Sequence, residues 1–293
     1  MIRIGFFGTH RNKLGESPLW DGRSRRLWWV DSLAGEIHAA SADGEPVLCW
    51  RQAQPVGSIG LAADGLVAAL ADGFYLIDRE RGDATQVVRI GGDGLRLNDG
   101  KADRGGRFLS GQMRVRDGGE DGRLWRLDAD GSATPLASGF AIANALCFAP
   151  DGRTLYAADS LDGMLRAYPY DVETGDIGAR RDLVDCRVHG SGPDGATVDA
   201  DGNLWVALVM AQAVACFSPK GDLLRRIDLP IPYPSCPAFG GPDLATLYVT
   251  TIANSGHRLV TDHPDGGRIV AIDGLGVRGL AEGRYVPDNH IRE

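Results

Sequence analysis

Asp151-Gly152-Arg153-Thr154-Leu155-Tyr156-Ala157-Ala158-Asp159, followed by Gly163-Met164-Leu165-Arg166-Ala167-Tyr168, reads as turn, strand, turn, strand. Asp-Gly supplies a positive-φ turn, and the short runs after it carry aromatic and apolar residues with partial period-two alternation. The unit returns at Asp21-Gly22 with Leu27-Trp28-Trp29-Val30-Asp31, at Asp64-Gly65 with Leu66-Val67-Ala68-Ala69, and at Asp201-Gly202 with Leu204-Trp205-Val206-Ala207. A degenerate copy starts at Asp103, and a last one runs from Leu244 through Tyr248 to Ile272. The turn aspartates at 21, 64, 103, 151 and 201 are spaced by 43, 39, 48 and 50 residues, the size of a four-stranded blade. One such blade cannot bury its own faces, so blades stack around an axis. The expected fold is all-β, a six-bladed β-propeller forming a single domain over residues 1–293. Its N-terminal strand, Met1 to Phe7, is expected to join strands from the 238–280 region and close the ring, which would otherwise leave an unpaired edge. No interval carries a sustained helical stripe, which removes TIM-barrel and doubly wound folds. A β-sandwich gives no reason for six related units.

Composition agrees with a folded chain rich in tight turns: 43% hydrophobic and 24% charged residues, with 41 Gly and 15 Pro in 293 residues. Lys and Arg total 31 against 39 Asp and Glu, a net charge of −8. Such a surface repels phosphate backbones, and no Lys/Arg cluster forms a basic stripe, so no nucleic-acid partner is expected. Cys49, Cys147, Cys186, Cys216 and Cys236 are dispersed and never approach CxxC spacing, as expected of reduced interior thiols. No stretch approaches 18 consecutive apolar residues, and the start of the chain is too short and interrupted for a signal peptide. No membrane partner and a cytoplasmic location are therefore expected. The long connection Ile252 to Gly266 forms either a rim over one face of the ring or a plain surface excursion.

Several polar residues lie just ahead of the repeating units. Glu16, in Gly15-Glu16-Ser17-Pro18-Leu19-Trp20, sits where an innermost strand begins and is either an ordinary exposed acid or a group facing the central channel. Asn144 interrupts the apolar run Phe140 to Phe148, and a buried amide must be hydrogen-bonded or coordinated. Asp194, in Pro193-Asp194-Gly195, precedes Asp201-Gly202 by seven residues, as Asn144 precedes Asp151-Gly152 by seven. Equal offsets place the two side chains at equivalent points of successive blades. Carboxylate, amide and carboxylate offer hard oxygens, a set suited to Ca²⁺, Mg²⁺ or Mn²⁺, with Zn²⁺ also admissible. Arg96-Leu97-Asn98-Asp99-Gly100-Lys101 is either a solvated loop or, by alternation, a segment that points Arg96 and Asn98 the same way, toward a polyhydroxylated ligand, and Asp99 the other way, toward a neighbouring loop. No Gly-x-Ser-x-Gly elbow and no HExxH spacing occurs.

The ordered set Gly15 to Trp20, Arg96 to Lys101 with Asp103, Gly106-Arg107-Phe108, Gly111-Gln112-Met113, Asn144 and Pro193-Asp194-Gly195 resembles the gluconolactonase, senescence-marker-protein and regucalcin-like family over essentially the whole chain. The resemblance implies a six-bladed propeller with one catalytic divalent ion, of the Ca, Zn, Mn, Mg or Fe group. It implies Glu16, Asn144 and Asp194 as the metal ligands, Arg96 and Asn98 as substrate contacts, and Asp194 as the general base. Glu120 aligns more loosely as a further substrate contact. The implied reaction is hydrolysis of an aldonolactone to the aldonic acid, with a small sugar lactone as the partner molecule. A phosphotriesterase-like hydrolase and a non-enzymatic calcium-binding or interaction propeller are the alternatives that fold alone leaves open. Here Asn144 is flanked by Ala143 and Ala145, where the family commonly has Ser-Asn-Gly.

Overall fold

A computed structural model of the chain, describing residues 1–92, 94–116, 119–256 and 258–288, contains six β-sheets. Each innermost strand packs on the next, and the sixth returns to the first, which makes a closed six-bladed propeller. The innermost strands of blades 1 to 6 are Gly15–Asp21, Val56–Ala62, Leu95–Ala102, Ala143–Phe148, Pro193–Val198 and Pro234–Gly240. Five sheets have four strands; blade 2 has five. Among the described residues the only helical pieces are two short 3₁₀ turns, Cys186–His189 and Val209–Ala211. The core is divided among the interfaces between blades, as in the cluster of Trp28, Val30, Ile37, Ile59, Leu66 and Ile77 between blades 1 and 2.

Ring closure follows the sequence expectation. Arg3–Phe7 forms the outer strand of blade 6, antiparallel to Ile269–Asp273, in a register running from Arg3 opposite Asp273 to Phe7 opposite Ile269. The thiols follow it in part: Cys147, Cys186, Cys216 and Cys236 are buried and free, whereas Cys49 is exposed.

Every innermost strand breaks register near its start. In blades 1, 3, 4, 5 and 6 two residues oppose one on the second strand: Ser17-Pro18, Asn98-Asp99, Ala145-Leu146, Asp194-Gly195 and Ser235-Cys236. Blade 2 inserts the single residue Gly57. Such bulges bend a strand and re-aim its side chains. Ser17 and Ala145 take positive φ there, 49° and 57°, so the alanine after Asn144 holds a left-handed conformation usually left to glycine.

Each bulge also joins its blade to a neighbour. Ser17 Oγ accepts from Ile59 N at 3.0 Å, Asn98 Nδ2 donates to Ala143 O at 3.1 Å, and Asp99 Oδ2 accepts from Leu146 N at 2.8 Å. Asn144 Nδ2 donates to Asp194 Oδ1 at 2.8 Å, and Ser235 Oγ donates to Gly15 O at 2.5 Å. The two remaining interfaces use glycine. A Cβ on Gly57 would lie 2.6 Å from the carbonyl oxygens of Leu97 and Asn98, and one on Gly195 would lie 2.4 Å from Cys236 Sγ.

On the opposite side of the ring the segment Gly279–Val286 lies across the channel. Gly279 bridges to Asp199, Glu282 pairs with the channel-lining Lys101 at 3.1 Å, and Arg284-Tyr285 run parallel to Leu61-Ala62 as the fifth strand of blade 2. Tyr285 is fully buried. No periodicity announces this crossing, because a two-residue strand carries none.

Gly57→Ala and Gly195→Ala are each expected to lower unfolding free energy by about 1–3 kcal/mol, the usual cost of forcing atoms into a packed interior. Gly22→Ala, whose Cβ would meet nothing within 4 Å, should stay within roughly 0.5 kcal/mol of the parent. Urea unfolding midpoints measure all three.

Candidate functional site

The bulged ends of the inner strands open onto a cavity of about 900 Å³. Glu16 from blade 1, Arg96 and Asn98 from blade 3, Asn144 from blade 4 and Asp194 from blade 5 all line it. Asn144 and Asp194 are buried, and Glu16, Arg96 and Asn98 are half-buried. A directed run of hydrogen bonds connects four of them. Arg96 Nη1 donates to Asn98 Oδ1 at 2.9 Å, Asn98 Nδ2 to Asn144 Oδ1 at 2.8 Å, and Asn144 Nδ2 to Asp194 Oδ1 at 2.8 Å. Glu120 lies exposed on the connection between Phe108–Arg114 and Gly122–Leu127 and is not among the described residues lining the cavity.

The equal seven-residue offsets of Asn144 and Asp194 do not mark equivalent positions. Counted along the ladder, Glu16, Asn144 and Pro193 are the last paired residues before the bulge, opposite Val30, Ala158 and Leu208. Asp194 is one residue later, the first residue of its bulge. Turns of different length separate the inner strand from the second strand in each blade: Asp21 pairs with Arg26, Phe148 with Leu155 and Val198 with Leu204. Offsets counted from the turn therefore carry the turn's length with them. Glu16 and Asn144 are the true counterparts, and Asp194 matches Asn98.

Two positioning devices were not visible from sequence. Asp31 accepts from Lys13 N at 2.7 Å and Leu14 N at 3.1 Å, and Asp159 accepts from the N–H groups of Ala141 and Ile142. Each carboxylate thus clamps the chain entering the strand that carries Glu16 or Asn144. Both aspartates end the second strand of their repeat, and that recurrence is the signal by which they could have been found. Ser160, the next residue, accepts from Asn144 Nδ2 at 2.8 Å and donates to Pro193 O at 2.7 Å, joining blades 4 and 5 behind the amide.

At the polar base the carboxyls of Glu16 and Asp194 interact with that of Asp99 and with the guanidinium of Arg96, while Arg114, Arg116 and Arg258 line the cavity further out. Burial first, then Asp194 and Asp99, raise the Glu16 carboxyl well above its ordinary range, with Arg96 opposing. Burial and Asp99 do the same to Asp194. Asp99, buried with its oxygens on Gly100 N and Leu146 N, is pushed up to about 6. Burial brings Arg96 down to about 10, against the pull of Glu16 and Asp194. Above this polar base the wall combines apolar side chains, among them Leu14, Ile142, Val209 and Ile252, with Arg114, Arg116 and Arg258. Ser255, Gly256, Arg258 and Leu259 line the mouth, so the Ile252 to Gly266 connection forms a rim over this face. Apart from this site, His10, Glu36 and His38 group their potential ligand atoms within 4.8 Å of one another.

These shifts fix a pH dependence for metal-stripped protein. A carboxyl whose folded pKa is raised contributes its stability below the unfolded value of about 4 and loses it as pH rises toward the folded value. Replacing Glu16 and Asp194 together by Gln and Asn removes that loss. The stability of Glu16→Gln/Asp194→Asn relative to the parent should therefore grow as pH rises from about 4 toward 7. Urea unfolding at successive pH values reads the trend, and a flat difference counts against the shared burial of these acids.

Comparison with known proteins agrees with this architecture. The SMP-30/Gluconolactonase/LRE-like region matches residues 14–253. The 6-deoxy-6-sulfogluconolactonase of Pseudomonas putida is 36% identical over 277 residues, covering 92% of this chain and 94% of that one. The pentonolactonase of Haloferax volcanii is 34% identical over 244 residues, covering 83% of each. The solved luciferin-regenerating enzyme superposes with a TM-score of 0.91 at 28% identity, covering 98% of this chain and 100% of that one. With its sheets, its bulged inner strands and these matches taken together, the chain belongs to the SMP-30/gluconolactonase/LRE-like family.

Proposed function

We propose that this protein hydrolyses a sugar-derived lactone to the corresponding acid, using a divalent ion held by Glu16, Asn144 and Asp194. The observation that carries the reading is that oxygen-bearing side chains from blades 1, 4 and 5 line the base of one cavity, with Arg96 and Asn98 beside them. The lactonase relatives from P. putida and H. volcanii support the substrate class.

The residues fit such an ion. The half-buried carboxyl of Glu16 and the buried one of Asp194, whose ionised forms repel each other, gain from a shared cation, and a carboxylate, amide and carboxylate set suits a hard divalent ion with positions left for water and substrate. As placed, Asn144 turns Nδ2 toward Asp194, so ligation through Oδ1 calls for the amide in its reversed orientation. When bound, the ion supplies Lewis-acid polarisation of the lactone carbonyl.

In this reading Asp194 takes a proton from the attacking water as its oxygen bonds to the carbonyl carbon. The tetrahedral adduct then breaks the bond between that carbon and the ring oxygen, which leaves as a hydroxyl on receiving the proton that Asp194 took up, and the carboxylate is restored. Arg96, a guanidinium held at the cavity base through Asn98, orients the substrate and faces developing negative charge. Asn98 reads a hydroxyl.

The test is a pH-indicator assay on freshly prepared aldonolactones, with spontaneous opening subtracted. Chelation should abolish enzymatic turnover and a single restored divalent ion should recover it. Asp194→Asn should lower kcat by about 10³-fold or more, the scale of a lost general base or charge-stabilising group, and should weaken metal binding. Full turnover in chelated protein, or in Asp194→Asn, would eliminate the assignment.

A further inference from the structure

A second group of ligating side chains lies away from the cavity, on the outer half of blade 1. Glu36 and His38 share the strand Glu36–Ser41, and residues two apart on a strand face the same side. Glu36 Oε2 lies 3.1 Å from His38 Nε2, close to the roughly 3.3 Å edge of a tetrahedron built on bonds of about 2.0 Å. The other carboxylate oxygen, Oε1, pairs with Arg51. Trp29 stacks on the His38 ring, with centroids 5.2 Å apart and planes 11° apart, which fixes the imidazole.

His10 comes from a different part of the chain, between the closing strand Arg3–Phe7 and the inner strand Gly15–Asp21. Its ring centroid stands 4.1 Å from that of His38. Burial, and then the nearness of His10, hold His38 below the usual imidazole range. Two imidazoles this close repel when both are protonated and cooperate when they share a cation.

The segment bearing His10 is already fixed at the seam between blades 6 and 1. Asn12 donates from N and Nδ2 to Gly267 O at 2.9 and 2.8 Å, and accepts from Trp29 Nε1 at 2.9 Å. Arg268 Nη2 donates to Gly8 O at 2.7 Å. Two imidazole nitrogens and one carboxylate oxygen, with a fourth position open to water, are a donor set for zinc and its neighbours in the first transition row.

We propose that His10, Glu36 and His38 form a second metal site, which takes a divalent transition ion of the zinc class and staples the seam at which the propeller closes. The ion ties the segment leaving blade 6 to the third strand of blade 1, two parts of the ring that separate on unfolding. Because it binds the closed ring and not the open chain, it raises stability in proportion to its occupancy. The site shares no residue with the cavity and does not rest on the lactonase reading.

The test is equilibrium dialysis of chelator-stripped, full-length protein against Zn²⁺ alone, followed by thermal unfolding. Wild type should bind one equivalent more than His10→Gln or His38→Gln, or bind that equivalent at least tenfold more tightly. The same equivalent should persist in Glu16→Gln/Asp194→Asn, where central carboxylates are gone, and should raise Tm there. Adding His10→Gln to that double variant should abolish the Zn²⁺-dependent rise in Tm. Equal uptake with and without His10, or an unchanged Tm in wild type and double variant alike, overturns the site. The comparison of wild type with His10→Gln stands even if the double variant does not fold.

Discussion

A register shift of one residue near the start of each inner strand is the constraint on which the ring and its cavity both depend. An unbroken ladder would alternate side chains strictly between the two faces of a blade. The bulge suspends that alternation at the channel wall and lets consecutive residues meet the next blade. Ser17, Asp99 and Ser235 use this freedom to satisfy backbone groups of a neighbour, while Gly57 and Gly195 use it to bring backbone and side chain into direct contact. Asn98, Asn144 and Asp194 stand at or beside the same point. The geometry that seals the blades together is therefore the geometry that delivers polar groups to the cavity.

That delivery is unfavourable in isolation. Glu16, Asp99 and Asp194 crowd one low-dielectric region with Arg96 as the guanidinium among them, and all three acids hold their protons more tightly than they would in water. Buried like charges of this kind persist in folded proteins when a function needs them or a counter-ion relieves them. The network from Arg96 through Asn98 and Asn144 to Asp194 keeps the donors in place while their charge is unrelieved. Asp31 and Asp159 act one layer further out, on the backbone that carries Glu16 and Asn144.

Blade number, strand order and ring closure were legible in the sequence because they are written in local signals: Asp-Gly turns, short apolar runs and a spacing that repeats. The polar residues that gather at the cavity were legible for a related reason, since Glu16, Arg96, Asn98, Asn144 and Asp194 all stand outside the repeating pattern. Their exact ladder positions were not, because a bulge leaves the composition of a strand unchanged and turn lengths differ between blades. Glu120, whose motif match was looser, is exposed and is not among the described residues lining the cavity. The grouping of His10 with Glu36 and His38 was also hidden, since it depends on where the closing strand ends and on which face of blade 1 the following residues pass.

The segment Gly279–Val286 gives the molecule a direction. The small hollows beside Lys101, Glu282 and Gly283 measure only about 10 and 30 Å³, room for little more than a water molecule. The inner strands all run the same way, which already makes the two faces of the ring unlike, and this segment leaves the rimmed face as the wide opening. A reactant must enter by the doorway its product uses to depart, so the two compete for passage as well as for the polar base.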